Sequence, residues 1–474
     1  LIEKEGIFMK LALIGGGSVR TFYFVESLLK FCERLQITEL SVMDNDPVKL
    51  EIFGGFAVYL AQHSDAKLSV DLTGDLKAAV KDADFVVTTI RAGQDGMRCK
   101  DERIALSHGL IGQETTGAGG YSYATRSIPA MLEICKTIKE YAKPGVITFN
   151  FTNPSGLVTQ AMHDAGYEVI GICDNATGIK MDLSKALHVG AGDLYVRVYG
   201  LNHLSWADRV EIGGRDILPQ LLQREKFVEN FHQFAYFDKD LVRAIGKIPN
   251  GYLYYFYHRE RALANIQASS ASRGEAIHAI NERMMAELTK MDVHTQAKEM
   301  IEIYHRYMHE REGSYMQMET GGLRHPAAID VRELGIPELD AAHESQEIYE
   351  GYAGVAFNYI ESVVHDKPID LALCVPNKGA IAGLEDDDVV EVTCIVDKNG
   401  ARPVQIGAMP EDEYLLTRLI KRYEKLTVAA VRERSLELGT LALMQHPLVG
   451  SYSLAKQLVK EYAAVNEPYT GAWR

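Results

Sequence analysis

The chain has 474 residues, more than one hydrophobic core usually contains, so two packed domains are expected. Hydrophobic residues make up 47% and charged residues 24% of the sequence, as in an ordinary globular protein. The formal net charge of −15 argues against a nucleic-acid partner, because no overall positive field would gather phosphates.

The apolar runs and the cysteines bound the cellular setting. No uninterrupted apolar run reaches the roughly 18 residues that span a bilayer, so no membrane segment is predicted. Residues 1–8 lack a secretory pattern and are interpreted as a leader or cloning remnant before Met9. The six cysteines show no CxxC pattern and no close spacing, which predicts free thiols and a cytoplasmic protein. They are Cys32, Cys99, Cys135, Cys173, Cys374 and Cys394.

The first 200 residues alternate between short apolar runs and amphipathic patterns. Strands are predicted at 9–14, 40–43, 68–72, 84–89, 145–150 and 168–172. Helices are predicted at 21–32, from the second strand to about 63, at 75–81 and from 156 onward. This alternation is typical of a Rossmann-like, doubly wound parallel sheet of the α/β class.

The second half has a different pattern. From about residue 201 the alternation fades, and helices are predicted at 272–291 and 293–309, a strand at 389–396 and a helical tail from 412. We therefore expect an α/β domain over residues 9–200. A helix-rich α+β domain over residues 201–474 is expected to pack against its end.

A glycine-rich turn, Gly15-Gly16-Gly17-Ser18, follows the first predicted strand and precedes the first predicted helix. Glycines at such a turn let the backbone approach a dinucleotide pyrophosphate, and the helix N-terminus offers unpaired N–H groups. The fingerprint is incomplete, because Arg20 stands where the third glycine of G-x-G-x-x-G would be. The turn therefore indicates a nucleotide site but also fits another doubly wound protein.

Two strand ends complete this candidate cofactor site. Asp44 or Asp46, at the end of the second strand, is placed to accept a hydrogen bond from a ribose 2′-OH. An acid there favours NAD over NADP, because a 2′-phosphate would be repelled. Thr88, near the end of the strand predicted at 84–89, is assigned to the same site.

A cysteine and a histidine are candidates for metal binding. Cys173, followed by Asp174, comes just after an apolar strand, at the edge where open α/β sheets bind ligands. Asn202 and His203 follow another strand-like run. A thiolate and an imidazole suit a borderline cation such as Mn²⁺, Ni²⁺, Co²⁺ or Fe²⁺, but are too few for structural zinc. A cysteine and a histidine thirty residues apart are more often ordinary core residues, so the spacing alone does not establish a metal site.

A phenol-rich segment and three arginines are further candidates. Tyr252 begins a segment rich in phenols, Tyr252–His258, whose default interpretation is a stripe of aromatic packing residues. One of these tyrosines could act as a base only if a nearby cation lowered its pKa from about 10. Arg91, Arg98 and Arg273 could bind an anion, although a lone arginine more often forms a surface ion pair.

Eight motifs in order along the chain resemble glycoside hydrolase family 4, the NAD-dependent glycosidases. In the first half they are IGGGS (14–18), IGQETTGAGG (111–120), FTNPSG (151–156) and CDNATG (173–178). GLNH (200–203), IPNGYL (248–253), NKGAI (377–381) and EKLTV (424–428) extend the match through the second half. The resemblance implies NAD and Mn²⁺ or another divalent metal as cofactors, and a homodimer or homotetramer.

The resemblance also implies a role for each candidate residue. Cys173 and His203 match the family's metal ligands, and Tyr252 matches the base that removes the proton from C2 of the sugar. Asp174 matches the acid of the α-specific 6-phospho-glucosidases. The substrate-binding positions correspond to Arg98, Asn153, Asn202 and Arg273, the last by its distance from Tyr252.

These roles imply hydrolysis of a 6-phospho-glucoside through transient oxidation at C3, loss of the C2 proton and elimination of the glycosidic bond. Asp174 matches the α-specific members, but Asn175-Ala176 matches neither the α nor the β pattern, and Lys378 stands where members often carry asparagine. Both anomers therefore remain open. So does an unphosphorylated galactoside or uronide, although the histidine that such members tend to carry after the cysteine is absent.

Two other functions fit the first half of the sequence. A hydroxy-acid dehydrogenase on the related lactate/malate dehydrogenase scaffold would accumulate NADH in proportion to product. It would also need a downstream catalytic histidine paired with an acid, and the sequence shows no convincing one. A nucleotide-binding sensor would bind NAD without turnover.

Overall fold

The computed structural model describes residues 9–322, 327–340, 349 and 353–474. The segment interpreted as a leader, 1–8, lies outside these residues. Six strands in the first part form the parallel half of a large sheet. They are β1 (Met9–Ile14), β2 (Ile37–Met43), β3 (Ser69–Thr73), β4 (Phe85–Thr88), β5 (Ile147–Asn150) and β6 (Ile170–Gly171).

The order of these strands is β3-β2-β1-β4-β5-β6, and each pairs in parallel with its neighbour. This is the order of a dinucleotide-binding sheet, whose ligands sit beyond the carboxyl ends of the strands. The predicted Rossmann-like class is confirmed. All six strands were predicted within a few residues, because each is a short apolar run bounded by turn residues.

Helices connect these strands on both faces of the sheet. They are α1 (Thr21–Phe31), α2 (Pro47–Lys49), α3 (Gly55–Gln62), α4 (Leu76–Val80), α5 (Gln94–Ser107), α6 (Gly117–Tyr141), α7 (Ser155–Asp164) and α8 (Asp174–Leu187). The sequence did not predict α5 or α6. The α6 segment begins Gly-Ala-Gly-Gly and contains Pro129, which local propensity disfavours, but residues 117–128 of α6 are all buried and tertiary packing prevails.

Seven further strands lie among the described residues after 190. Four form a small antiparallel sheet: β7 (Leu194–Leu201), β8 (Leu204–Ile212), β9 (Arg215–Asp216) and β10 (Ile248–Pro249). The other three are β11 (Ile369–Pro376), β12 (Val389–Asp397) and β13 (Gly400–Pro403), and they extend the large sheet antiparallel beyond β6. The large sheet therefore contains strands from both sides of residue 200, and the domain boundary there stays a prediction.

The second part of the chain is rich in helices. They are α9 (Leu218–Leu222), α10 (Glu225–Asn230), α11 (Lys239–Ile245), α12 (Tyr254–Tyr257), α13 (Arg259–Ala268), α14 (Arg273–Leu288), α15 (Val293–Gly313), α16 (Gln317–Thr320), α17 (Pro337–Asp340), α18 (Gly354–His365), α19 (Glu411–Glu433), α20 (Leu436–Gln445) and α21 (Tyr452–Thr470). A reciprocal capping box between Ser272 and Glu275 fixes the start of α14. Among the described residues, no helix combines the length and apolarity that crossing a bilayer requires.

Candidate active site

The glycine turn between β1 and α1 leaves no room for side chains. Gly15 has φ of +95°, and a Cβ on it would lie 2.8 Å from the carbonyl carbon of Thr89. A Cβ on Gly16 would lie 2.2 Å from Val42 Cγ1, and one on Gly17 would lie 2.8 Å from Asp44 Cγ. Because real Cβ atoms do not approach so closely, all three positions require glycine, as the predicted cofactor turn does.

Asp44 lies directly after β2 and closes this turn. Its Oδ2 accepts a hydrogen bond of 2.8 Å from the backbone N–H of Gly17, and its Oδ1 accepts one of 2.9 Å from Asp46. Asp46 instead caps α2, accepting from the backbone N–H groups of Val48 and Lys49. Of the two candidate acids, Asp44 is therefore the one that contacts the glycine turn.

The other two predicted cofactor residues differ in placement. Ser18 lies within the turn, and its Oγ accepts from the backbone N–H of Arg20 at 3.2 Å. Thr88 is fully buried, and its hydroxyl lies 3.2 Å from Asn150 Oδ1 and 3.3 Å from the Phe149 carbonyl. The Thr88 hydroxyl therefore bonds to strand β5, while Thr88 pairs in the sheet with Ile14, the residue directly before the glycine turn.

Cys173 and His203, thirty residues apart in sequence, meet in the structure. Cys173 immediately precedes α8, beyond the carboxyl end of β6, and His203 lies in the two-residue turn between β7 and β8. Cys173 Sγ lies 3.5 Å from His203 Nε2, and both residues are buried. Tetrahedral bonds to one zinc-like cation would separate the two atoms by about 3.6 Å. The pair can therefore share one cation.

The hydrogen bonding of His203 leaves one nitrogen free for this purpose. His203 Nδ1 lies 3.0 Å from Thr115 Oγ1, so a proton on Nδ1 leaves the Nε2 lone pair facing Cys173. Burial lowers the pKa of His203 to about 4, which keeps the ring neutral near pH 7. Burial, with the charges of Asp174 and Glu391, raises the pKa of the Cys173 thiol, so a thiolate there requires a cation. Within the described ranges, no group of three or more His, Cys, Asp or Glu side chains could hold a metal.

Tyr252 lies against His203. Their ring centroids are 3.7 Å apart and the ring planes are 4° from parallel. Burial, followed by the charges of Glu114 and Cys173, raises the pKa of Tyr252. The phenol therefore keeps its proton unless a cation at the Cys173–His203 pair offsets these effects.

A partly buried ion-pair cluster lies beside this group. The Glu114 carboxylate is 2.6 Å from Arg91 Nη1 and 3.2 Å from Arg98 Nη1. Burial alone would raise the pKa of Glu114, but Arg91 and Arg98 lower it to about 2. Since Glu114 immediately precedes Thr115, the cluster connects Arg98 to the His203 turn.

Arg98 and the start of helix α14, where Arg273 lies, meet at the carboxylate of Glu102. Arg98 Nε donates to Glu102 at 2.8 Å, and the backbone N–H of Gly274, next to Arg273, donates to Glu102 at 2.6 Å. Arg273 itself is the first residue of α14, and its Nη1 donates to the carbonyl and hydroxyl of Ser314. The structure thus brings these two substrate-binding candidates to one region.

The remaining candidates border the metal pair. Asn202 precedes His203, and its Oδ1 accepts from the backbone N–H of Gly156 at 3.3 Å. Asn153 stands three residues before Gly156, and its Oδ1 accepts from the backbone N–H of Ser155 at 3.3 Å. Asp174 is the exposed first residue of α8, close enough to Tyr252 to contribute to its raised pKa.

Sequence reasoning gave no role to several residues that the structure places here. Thr115 lies in the IGQETTGAGG motif (111–120), but only the fold shows that it contacts His203. Arg311 lies in α15, and its Nη1 is buried without a hydrogen-bond partner among the described residues. Burial and the neighbouring Arg20, Arg91 and Arg98 lower the pKa of Arg311 to about 10, against the attraction of Asp95. No sequence pattern indicated this arginine.

Together, a dinucleotide-binding sheet and a cysteine–histidine pair at its carboxyl edge define a nucleotide- and metal-dependent class of enzyme site. The sequence profiles of the family 4 glycosyl hydrolases match residues 10–189, and those of their C-terminal domain match residues 198–449. The chain belongs to glycosyl hydrolase family 4. Membership decides for a glycosidase over the dehydrogenase alternative.

Relatives of both anomeric types match along nearly their whole length. A Bacillus subtilis (strain 168) protein named "Probable 6-phospho-beta-glucosidase" is 32% identical over 97% of each chain. A phospho-alpha-glucosidase of Clostridium acetobutylicum is 28% identical, covering 97% of this chain and 98% of its own. The solved 6-phospho-beta-glucosidase of Thermotoga maritima, with manganese, NAD⁺ and glucose-6-phosphate, is 27% identical with a TM-score of 0.78. That match covers 98% of this chain and all of the other.

Proposed function

We propose that this protein hydrolyses 6-phospho-glucosides with NAD⁺ and a divalent cation such as Mn²⁺. The observation that carries the proposal is the 3.5 Å separation of Cys173 Sγ and His203 Nε2, with Tyr252 stacked on His203. A thiol, an imidazole and a phenol converge at the edge of the sheet where such folds bind ligands. The relatives supply the substrate class, since those of both anomeric types act on phosphorylated glucosides.

The residues present fit both cofactors. Cys173 and His203 would hold the cation, substrate oxygens would complete its shell, and Gly15–Gly17 with Asp44 would hold NAD⁺. When bound, the nicotinamide supplies a hydride acceptor for C3, and the cation supplies Lewis acidity at the C2 and C3 oxygens.

The chain's own side chains supply the proton transfers. Tyr252 would remove the C2 proton; burial raises its pKa, and a cation held by Cys173 and His203 would favour the deprotonated phenol. Asp174, at the start of α8, donates a proton to the leaving oxygen. Thr115 keeps the His203 proton on Nδ1, so that Nε2 stays available as a ligand. Arg98, Asn153, Asn202 and Arg273 orient the sugar.

The arginines favour a phosphorylated substrate over an unphosphorylated one. Arg311 has a buried Nη1 without a partner among the described residues, although a buried guanidinium normally forms hydrogen bonds to all its groups. Arg20, Arg91 and Arg98 lie close enough to lower its pKa. An anionic group such as a sugar phosphate would accept from the free N–H and offset this like-charge repulsion.

The proposal also covers the anomer, the number of subunits and the cellular compartment. Both anomers remain open, because Asp174 matches the α-specific members whereas Asn175-Ala176 matches neither pattern. Family resemblance favours a homodimer or homotetramer. The six cysteines are all free, which suits the reducing cytoplasm.

The test is hydrolysis of paired nitrophenyl α- and β-linked 6-phospho-glucosides and 6-phospho-galactosides. We expect cleavage of at least one glucoside to require NAD⁺, Mn²⁺ and a thiol reductant together, with slower turnover when deuterium replaces hydrogen at C2 or C3. The unphosphorylated nitrophenyl glucosides serve as controls. Cleavage that survives removal of both NAD⁺ and metal would overturn the proposal.

A further inference from the structure

Glu391 is a buried carboxylate beneath the candidate active site. It lies on β12, one of the antiparallel strands at the edge of the large sheet, and is 1% exposed. Its Oε1 accepts from Asn202 Nδ2 at 2.9 Å, and its Oε2 accepts from Ser205 Oγ at 2.8 Å. The Cys374 thiol, on the neighbouring strand, is 3.7 Å from Oε1. Each carboxylate oxygen thus binds a different side of the β7–β8 turn.

One of these contacts fixes the turn that carries His203. The turn consists of Asn202 and His203 alone, between paired Leu201 and Leu204, and His203 has φ of +62°. Such a conformation is costly for a residue other than glycine and persists only where surrounding contacts impose it. The Asn202 side chain supplies contacts on both sides, because it donates to Glu391 and accepts from the backbone of Gly156.

The other contact leads to Tyr252. Ser205 Oγ, which donates to Glu391, accepts from Asn250 Nδ2 at 3.1 Å. Asn250 also donates its backbone N–H to the Ser205 carbonyl at 2.9 Å. Its Oδ1 accepts from the backbone N–H of Tyr252 at 3.0 Å. Glu391 is therefore three hydrogen bonds from the backbone of Tyr252 and one from the residue that precedes His203.

A carboxylate here is costly to bury. Burial raises the pKa of Glu391 to about 7, and the groups that lower it are neutral donors, Asn202, Ser205 and Cys374. Within the described part of the chain, no ion pair with lysine, arginine or histidine offsets that cost. Val389, which points to the same face of β12, is a buried valine, so an apolar residue would suit local packing. The hydrogen bonds of the carboxylate to Asn202 and Ser205 therefore explain why a charged side chain lies at this buried position.

We propose that Glu391 is a positioning residue, which holds the His203 turn and the Tyr252 turn in one fixed arrangement. This inference rests on the proposed function. As an acceptor at both oxygens, the carboxylate satisfies Asn202 and Ser205 at the same time. An amide in its place offers one acceptor and one donor, so one of the two contacts loses its direction.

The test compares Glu391→Gln, Ser205→Ala and Cys374→Ala with the wild-type protein. The measurements are Mn²⁺ affinity, NAD⁺ affinity, kcat and KM on a nitrophenyl 6-phospho-glucoside, melting temperature and amide hydrogen exchange at residues 200–205 and 250–253. Glu391→Gln is expected to weaken Mn²⁺ binding and lower kcat, each by about tenfold, because supporting partners of metal ligands have effects of this size. NAD⁺ affinity is expected to stay unchanged, and exchange is expected to become faster in both segments.

The other variants separate the contact with Asn202, which leads to His203, from the contact with Ser205, which leads to Tyr252. Ser205→Ala keeps the charge of Glu391 and should lower kcat while leaving Mn²⁺ affinity within about twofold, because it breaks only the chain of hydrogen bonds that leads to Tyr252. Added to Glu391→Gln, it should lower kcat by less than the product of the single effects, because both act through one chain of hydrogen bonds. Cys374→Ala removes the donor that leads to neither turn, and should match the wild type in kcat and Mn²⁺ affinity.

A merely structural role would lower the melting temperature of Glu391→Gln and leave kcat, KM and Mn²⁺ affinity unchanged, which would overturn the inference. Equal effects in Cys374→Ala would overturn it as well. If the wild type cleaves no phosphoglucoside, the proposed function fails, but hydrogen exchange still decides on Glu391. Unchanged exchange in both segments of Glu391→Gln, or of Ser205→Ala at 250–253 should Glu391→Gln not fold, would then reject the positioning role.

Discussion

The imidazole of His203 lies flat against the phenol ring of Tyr252, with centroids 3.7 Å apart and planes 4° from parallel. The candidate metal ligand and the candidate base are therefore one packed unit. A change in the position of either ring moves the other, and a cation held at His203 Nε2 is close enough to act on the phenol electrostatically.

Replacing Tyr252 with phenylalanine removes only the phenolic hydroxyl and keeps the ring that stacks on His203. We expect Tyr252→Phe to lower kcat by about 10²- to 10⁴-fold, the usual contribution of a general base, with Mn²⁺ and NAD⁺ affinities unchanged. Tyr254→Phe is the matched control, because that hydroxyl donates to the Glu319 carbonyl at 3.1 Å, away from the stack. Steady-state kinetics with both variants measure the difference, and a fully active Tyr252→Phe would contradict the assignment.

The glycine turn makes a second prediction. A Cβ on Gly17 would lie 2.8 Å from Asp44 Cγ and 2.9 Å from Lys49 Cβ, so Gly17→Ala must displace the acid that contacts the turn. We expect NAD⁺ affinity to fall by about tenfold or more while Mn²⁺ affinity is retained. Gly96→Ala is the control, since a Cβ there meets nothing within 4 Å. Titration calorimetry with NAD⁺ checks both, and equal affinities would contradict the cofactor assignment.

Arg311 provides a test of substrate phosphorylation. Replacing it with methionine keeps the apolar stem and removes the buried guanidinium. We expect kcat/KM for a 6-phospho-glucoside to fall by about 10- to 100-fold, the value of a charge-assisted hydrogen bond, with NAD⁺ affinity unchanged. Arg283→Met is the control, because Arg283 forms an exposed ion pair with Glu310. If both variants have wild-type kcat/KM, Arg311 does not bind the phosphate.

Glu391 predicts a pH dependence of stability. Its pKa is raised by burial from 4.5 to about 7 in the folded protein. Between these values the folded state retains a proton that the unfolded state releases, so this group lowers the free energy of unfolding as pH rises through the window. Below the window the effect vanishes, and above it the effect is complete.

Glu391→Gln removes this titration. Relative to the wild type, its free energy of unfolding should therefore increase between about pH 4.5 and pH 7 by up to the order of 3 kcal/mol. Urea unfolding at several pH values measures the difference. A difference that stays constant across the window would show that Glu391 titrates normally.

Much of the nucleotide-binding half could be predicted from the sequence. Its strands are apolar runs of a few residues with turn signals at both ends, and the glycine turn and Asp44 occupy adjacent strand ends. The strands β11–β13 could not be assigned to the same sheet, because β6 and β11 are separated by about 200 residues and no local pattern reports long-range pairing. Helix α6 escaped prediction because its glycines and Pro129 obscure the periodicity.

The site divides in the same way. The family resemblance identified Cys173, His203 and Tyr252, but the spacing of the first two is more typical of ordinary core residues, and only the fold brings them to 3.5 Å. Thr115 lies in the IGQETTGAGG motif, but the motif does not show that Thr115 contacts His203, and no motif marks Arg311, whose charged neighbours lie far along the chain. Glu391 had one local sign, a carboxylate between buried valines, which does not say what it contacts.

The proposed hydrolysis depends on one cation shared by Cys173 and His203. The most direct measurement is titration of Mn²⁺ and of NAD⁺ into the wild type and Cys173→Ser, with hydrolysis of a nitrophenyl 6-phospho-glucoside followed in parallel. We predict that Cys173→Ser binds NAD⁺ like the wild type but loses both Mn²⁺ binding and hydrolysis, because one of two protein ligands is gone. A Cys173→Ser protein that binds Mn²⁺ and cleaves the substrate like the wild type would contradict the account.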